Sequence, residues 1–270
     1  MTIIQSIVLG AVQGITEFLP VSSSGHLQLA KELLGVHLTD NLAFDVALHA
    51  GTVLSTLLVL WSEVRWLVLG LFSRRFNEAH IYILKIALSM VPVAIVGFTL
   101  KDELDEILSS NYVLLIVGAM LLLTALLLGF AHRTRRGAEG GREIGYGDAF
   151  VIGVAQMMAV MPGLSRSGST IATGILLGND RSKVAKFSFL MVLAPILGSM
   201  LLDIVKGGGE FVVEGVSGGV LFVGFFTAFA VGALACKGMI EIVKRGKLIY
   251  FSIYCAIVGV LSIGSYFLKF

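Results

Sequence analysis

Two polar stretches that interrupt apolar sequence decide the fold of this chain: QGITEFLPVSSSGH at residues 13–26 and QMMAVMPGLSRSGST at residues 156–170. Each contains a proline, Pro20 or Pro162, which ends a helix because its ring removes an N–H donor and clashes with the preceding turn. The serines that follow are suitable N-caps for a second helix. Each stretch therefore predicts a helical hairpin with a helix N-terminus at its tip.

The depth of the two tips follows from the length of the second helix. Residues 25–34 and 168–177 are each ten residues long. Such a helix is about 15 Å long at about 1.5 Å per residue, which is about half the hydrocarbon thickness of a bilayer. We therefore expect both tips near the midplane, where free N–H groups attract anions and must line a cavity rather than lipid.

The composition places the whole chain in a membrane. Of its 270 residues, 56% are hydrophobic and 14% are charged, and the mean hydropathy is +0.92. A soluble domain carries about a quarter charged residues, so most of the apolar surface must face lipid. The net charge of +2 is too small to indicate a nucleic-acid partner.

Six further stretches are long enough to cross a bilayer, which requires about 20 apolar residues. Together with the two hairpins they predict an all-α polytopic membrane protein with six transmembrane helices and two re-entrant helical hairpins. The six stretches are residues 42–61, 81–100, 112–131, 184–204, 218–236 and 248–268.

The two hairpins are copies of each other. A shift of 143 places residues 6–13 on 149–156, and the same register aligns Gly25 with Gly168 and Phe44 with Phe187. The sequence therefore predicts one membrane domain, residues 1–270, built from repeats at about 1–135 and 144–270. Because each repeat holds an odd number of spans, the second repeat is expected to be inverted relative to the first.

The distribution of basic residues fixes the expected orientation. Fourteen lysines and arginines fall on one predicted side and four on the other, where the acidic run 102–106 also lies. Because basic loops stay in the cytoplasm, we expect both termini outside it.

The repeats differ at the positions that carry chemistry. Glu17 aligns with Val160, Ser23 aligns with Arg166, and His26 aligns with Ser169. The first hairpin therefore looks specialised for proton transfer and the second for holding an anion. An arginine at the midplane costs about 2.5–3.5 kcal/mol on insertion scales, and a bound phosphate is a reason to retain it, since its fork of donors matches phosphate oxygens. A structural ion pair with Glu17 is the alternative.

At these residues the chain resembles the undecaprenyl-diphosphate phosphatase family, which is linked to bacitracin resistance. The family patterns TEFLPVSS-x-GH and PG-x-SRSG-x-T match residues 16–26 and 162–170. The resemblance implies hydrolysis of undecaprenyl diphosphate to the monophosphate carrier lipid of cell-wall synthesis. It implies an enzyme in the bacterial inner membrane, with its site open to the outer side, and it leaves a homodimer open.

The resemblance also assigns roles to residues. It implies that Glu17, Ser23, His26 and Arg166 are catalytic. It implies that the substrate-binding residues are Gln13, Ser22, Ser24, Ser165, Ser167, Gly168 and Thr170. Position 13 is Gln where many members have Glu, so Glu17 is the single carboxylate that this hairpin offers to a divalent cation such as Mg²⁺ or Ca²⁺.

The mechanism expected from these residues has open alternatives. Arg166 and the helix N-termini would bind the diphosphate while the prenyl tail stays in lipid, and Glu17 and His26 would act together as base and acid. The nucleophile is water, Ser23 or His26. His49 is interpreted as a core histidine without a functional role.

Two other classes of protein compete with the phosphatase interpretation. Inverted repeats with broken helices are typical of secondary transporters, so a polyprenyl-phosphate flippase is the main alternative. A structural scaffold is the other, and it leaves the midplane charges unexplained.

Overall fold

A computed structural model describes residues 1–36, 42–99, 112–134, 140–206 and 217–268. The acidic run 102–106 and the basic residues Lys101, Arg135, Arg136 and Lys269, used above for the orientation, lie outside these residues. The chain is helical throughout the described ranges, which contain no strand beyond one isolated bridge between Arg142 and Asn179. The helices are α1 (Ile3–Phe18), α2 (Ser23–Leu33), α3 (Leu42–Val59), α4 (Trp61–Leu71), α5 (Glu78–Thr99), α6 (Val113–Arg133), α7 (Tyr146–Met158), α8 (Arg166–Leu176), α9 (Arg181–Met191), α10 (Leu193–Lys206), α11 (Gly218–Lys244) and α12 (Ile249–Leu268).

The helices agree with a protein that crosses a membrane several times. Among the described residues, five spans are long and apolar enough to cross: Glu78–Gly97, Val113–Arg133, Arg181–Leu201, Gly218–Lys244 and Ile249–Leu268. A sixth is counted if α3 and α4, which bend by 82° at Leu60, form one span. Large apolar side chains also remain on the surface, such as Ile4 and Leu234, which are 73% and 75% exposed.

Two of the predicted spans contain a break that the hydropathy pattern does not show. The first ends in the bend between α3 and α4. The fourth is divided at Val192 between α9 and α10, just before Pro195. Because Pro195 has no N–H group, it cannot bond to the carbonyl of Met191, and the helical ladder is interrupted there.

Equivalent helices of the two halves make equivalent contacts. The first helix of each hairpin packs along a span of the other half: α1 on α11, and α7 on α5. The shift of 143 converts one pair into the other. The helices α6 and α12, which are themselves approximate equivalents, pack against each other.

Glycines at equivalent positions of the two halves allow these helix pairs to pack closely. A Cβ added to Gly10 in α1 would lie 2.6 Å from the carbonyl oxygen of Gly224 in α11, and one added to Gly153 in α7 would collide with the backbone of Ser89 in α5. Small residues at such points let two backbones approach within a membrane. The packing therefore joins the first helix of each hairpin to a span of the other half.

Candidate active site

The two hairpin tips start their second helices differently. In the second hairpin, Ser165 is the N-cap of α8, and its Oγ accepts a hydrogen bond from the N–H of Gly168 at 3.1 Å. In the first hairpin, Ser22 precedes α2 with φ +71° and makes no side-chain cap. The prediction of serine N-caps is therefore confirmed for the second tip and wrong for the first. The positive φ turns the Ser22 hydroxyl toward Ser24, 3.5 Å away.

Glu17 is the centre of the polar cluster at these tips. Its Oε1 accepts from Nη2 of Arg166 at 3.0 Å, and its Oε2 accepts from Ser23 Oγ at 2.8 Å and from Gln13 Nε2 at 3.0 Å. Glu17 and Gln13 lie one helical turn apart in α1, and Ser23 opens α2. The structure thus brings together four of the predicted site residues, and the ion pair joins the two hairpins.

The ion pair is accessible on the side of Arg166. The Glu17 side chain is 6% exposed, whereas that of Arg166 is 30% exposed. Within the described ranges, the other guanidinium N–H groups donate to no protein acceptor. Because a guanidinium carries five donors, Arg166 can keep its bond to Glu17 and still bind an anion.

A small pocket lies beside this pair. Its volume is about 20 Å³, which is room for about one water. A phosphoryl group therefore requires the surrounding side chains to move apart. The lining residues are Glu17, Phe18, Thr52, Val53, Thr56, Arg166, Ser167, Ser188, Phe189, Val192 and Ile196.

His26 lies away from this pocket. Its Nδ1 is 2.9 Å from the carbonyl oxygen of Ser22 and must donate to it, so in the neutral ring Nε2 accepts from the hydroxyl of Tyr254 at 2.6 Å. The two rings are stacked with centroids 5.6 Å apart. His26 lines a separate, mainly apolar cavity of about 400 Å³, which residues of α2, α6 and α12 enclose.

The expected pairing of Glu17 with His26 is therefore not formed. Ser23 is the first residue of α2 and points back to α1, whereas His26 is three residues further on and faces α12. The hairpin sequence shows that both residues are close along the chain, but the packing of α12 separates their environments. The catalytic role of His26 stays a prediction.

Of the remaining predicted binding residues, Ser167 joins the two tips, whereas Thr170 bonds within the second half. Ser167 Oγ donates to the carbonyl of Leu19 at 3.3 Å, and Thr170 Oγ1 lies 2.9 Å from the carbonyl of Arg166 and 2.6 Å from Ser188 Oγ. Ser24 is exposed. Of this group only Ser167 reaches the pocket beside Arg166, so binding roles for the others stay predictions.

Sequence reasoning missed the contribution of α3. Thr52 and Thr56 line the pocket, and His49 lies one turn before Thr52 on the same helix. The signal was present, because polar residues at 49, 52 and 56 share one face of a helix in an otherwise apolar segment. Such residues in a membrane segment usually face a cavity.

The residues at the site do not form a resident metal centre. In the part of the chain that the structure describes, no three His, Cys, Asp or Glu side chains are grouped to hold an ion. Both oxygens of Glu17 already accept from Arg166, Ser23 or Gln13. A guanidinium on the only carboxylate opposes a second cation there.

Comparison with known proteins gives a consistent result. The model of the family described as "Bacitracin resistance protein BacA" matches residues 6–261. A protein of Parabacteroides distasonis named "Undecaprenyl-diphosphatase" is 52% identical over 270 residues, which are 100% of both chains. Proteins with the same name from Bacteroides fragilis and Halothermothrix orenii are 53% and 38% identical, with 96% and 97% of this chain covered and 96% and 98% of theirs.

Proposed function

The chain belongs to the bacitracin resistance protein BacA family, and from this membership we propose that it is a membrane enzyme that hydrolyses undecaprenyl diphosphate to undecaprenyl phosphate and phosphate. The observation that carries the proposal is the contact of Arg166 with Glu17 at 3.0 Å, because it joins an anion-binding group from one hairpin to a base from the other. The names of the full-length relatives support the substrate.

Arg166 would bind the terminal phosphoryl group. Arg166 is the first residue of α8. The positive end of the helix dipole and the free N–H groups of that turn would therefore attract the same anion. As negative charge shifts among the phosphate oxygens, preorganised donors stabilise the transition state. The prenyl chain stays among apolar side chains and lipid.

Ser23 and Glu17 are the pair best placed to start the reaction. The Ser23 hydroxyl donates to Glu17 at 2.8 Å, which is the arrangement of a nucleophile with its base. In this mechanism Ser23 Oγ attacks the terminal phosphorus, its proton passes to Glu17, and the bond to the bridging oxygen breaks. Water then cleaves the phosphoserine. Direct attack by water, with Glu17 as base, uses the same groups.

A divalent cation is a separate proposal. Mg²⁺ and Ca²⁺ prefer oxygen ligands, and the diphosphate itself would supply most of them, because Glu17 is already engaged. Phosphate release in the presence of excess EDTA tests this: unchanged turnover indicates that Arg166 alone balances the charge of the diphosphate.

We further propose that the halves form an inverted repeat of three spans and one re-entrant hairpin each, in the bacterial inner membrane with both termini and the site on the outer side. The first hairpin helix of each half packs on a span of the other half, α1 on α11 and α7 on α5, which supports the repeat. The unequal distribution of basic residues supports the orientation. The flippase alternative has no support from the relatives' names.

The experiment is phosphate release from a polyprenyl diphosphate by the purified protein in detergent. Arg166→Ala is expected to reduce turnover by at least about 10²-fold, the effect of removing one preorganised donor. Arg166→Lys keeps the charge but loses the fork and should retain an intermediate rate. Near-normal release by Arg166→Ala, in a folded sample, contradicts the assignment.

A further inference from the structure

The face of α3 that meets the site carries a histidine with an unoccupied ring nitrogen. His49 Nδ1 lies 2.8 Å from the carbonyl oxygen of Asp45 and must donate to it. Within the described ranges no protein group bonds to Nε2. Thr52 and Val53, the next turn on this face, and Thr56 beyond them line the pocket beside Arg166, so His49 shares its helix face with residues of that pocket.

Two kinds of contact hold the helix that carries His49. The helix α3, which carries His49, packs on α1, the helix that carries Glu17. Asp45, one turn before His49, is neutralised by Lys31 of α2 through two contacts of 2.7 and 2.8 Å. This ion pair fixes the start of α3 and therefore the position of the His49 ring.

The proposed mechanism does not yet include a group that gives a proton to the leaving oxygen. A mechanism in which Glu17 removes a proton from the nucleophile is faster when another group gives a proton to the leaving oxygen. His26 Nε2 is occupied by the Tyr254 hydroxyl and faces another cavity. Among the described residues, His49 is the imidazole on the face of α3 that lines the pocket beside Arg166.

We propose that His49 is the general acid of the reaction, a role that rests on the proposed diphosphatase function. As Ser23 Oγ bonds to the terminal phosphorus and its proton passes to Glu17, the bond from phosphorus to the bridging oxygen breaks. That oxygen leaves with undecaprenyl phosphate and takes a proton from Nε2 of His49.

The second half of the cycle restores every group. Water attacks the phosphoserine, gives one proton to His49 Nε2, and the bond from phosphorus to Ser23 Oγ breaks. Ser23 recovers its proton from Glu17, and phosphate leaves. One water is consumed for each diphosphate, with no other co-reactant.

The test compares His49→Gln with a matched histidine variant. His132→Gln is the control, because His132 also bonds through Nδ1 to a backbone carbonyl, that of Gly246 at 2.7 Å, but belongs to neither cavity. Both proteins are assayed with a polyprenyl diphosphate in detergent across pH 5–9, and folding is checked by thermal unfolding. His49→Gln is expected to lower kcat by about 10²–10⁴-fold, the usual contribution of general acid catalysis, with little change in KM.

The pH profile separates chemistry from structure. A general acid must be protonated, so wild-type kcat should fall toward high pH, where the acid has lost its proton. That limb should be absent in His49→Gln and present in His132→Gln. His49→Ala should regain part of its rate with added imidazole, which a merely structural role would not allow.

The outcomes distinguish the two proposals. A wild-type protein that releases no phosphate overturns the proposed function itself. Active wild type with an unchanged rate and pH profile in His49→Gln overturns the role of His49 alone. If His49→Gln does not fold, His49→Asn and the imidazole rescue of His49→Ala decide, and absence of rescue in a folded His49→Ala protein rejects the proposal.

Discussion

At the scale of single residues, the site is a carboxylate whose hydrogen-bonding capacity is used by three different partners. Arg166 occupies one oxygen of Glu17, while Ser23 and Gln13 share the other. Leaving a buried charge unpaired is costly, so the cluster must be retained or replaced as a unit.

Ser23 can be tested through its hydroxyl. If Ser23 is the nucleophile, Ser23→Ala should reduce kcat by at least about 10²-fold, because covalent catalysis is lost and only water attack remains. Ser23→Thr keeps a hydroxyl at the same position and should retain more activity. Phosphate release measured under saturating substrate checks the pair, and equal rates for Ser23→Ala and wild type would favour direct attack by water.

Gln13 determines how the site balances charge. Gln13→Glu would place a second carboxylate where the amide now contacts Glu17 at 3.0 Å, and two like charges at that distance repel. A hard divalent cation relieves this repulsion through oxygen ligands. We therefore expect turnover of Gln13→Glu to depend more strongly on Mg²⁺ or Ca²⁺ than that of wild type.

The comparison is a titration of phosphate release against Mg²⁺ after EDTA treatment, with both proteins in the same detergent. Gln13→Ala serves as the control, since it removes the amide without adding charge. An identical cation dependence of wild type and Gln13→Glu would contradict this account of position 13.

At the scale of elements, the hairpins are held by close contact between helix backbones. Gly153 in α7 meets the backbone of Ser89 in α5, whereas Gly147 in the same helix has open space around it. Gly153→Ala should lower the free energy of unfolding by about 1–3 kcal/mol through overpacking. Gly147→Ala should leave it unchanged or raise it by up to about 1 kcal/mol, because alanine has the higher helix propensity.

Thermal unfolding in detergent measures both variants against wild type. A comparable stability of Gly153→Ala and Gly147→Ala would mean that α7 does not pack on α5 as closely as the contact requires. Because α7 leads directly to the tip that carries Arg166, Gly153→Ala is also expected to reduce phosphate release.

At the scale of the whole molecule, the orientation of the chain in the membrane gives a direct prediction. Ser73 lies in the connection between α4 and α5 on the expected cytoplasmic side, and Ser217 precedes α11 on the opposite side. Both native cysteines, Cys236 and Cys255, are buried, so background labelling should be low. An impermeant maleimide added to intact cells should label Ser217→Cys and not Ser73→Cys.

Permeabilised cells provide the control, since both variants should then be labelled. Labelling of Ser73→Cys in intact cells, or of both variants from one side, would contradict the orientation. The same experiment bears on the site, because the proposed opening lies on the side of Ser217.

Part of this organisation could be read from local sequence. The apolar stretches and the two broken hairpins depend on hydropathy and proline, and the motifs singled out Glu17, Ser23 and Arg166, although they paired Glu17 with His26. The duplication stays a prediction. The bend at Leu60 and the break at Val192 were not expected, because hydropathy averages over a window and does not register where a helical ladder is interrupted.

By itself, the sequence determined the class of protein, the residues at the hairpin tips and the family, since each depends on residue types and on spacing along the chain. Only the tertiary structure decided which histidine shares a helix face with the pocket at Glu17. His26 is nine residues from Glu17 and faces Tyr254, whereas His49 is 32 residues away and lies on the face of α3 that lines the pocket. The physical reason is that the direction of a side chain depends on how its helix is rotated against distant helices, and that rotation is set by packing between segments far apart in the chain.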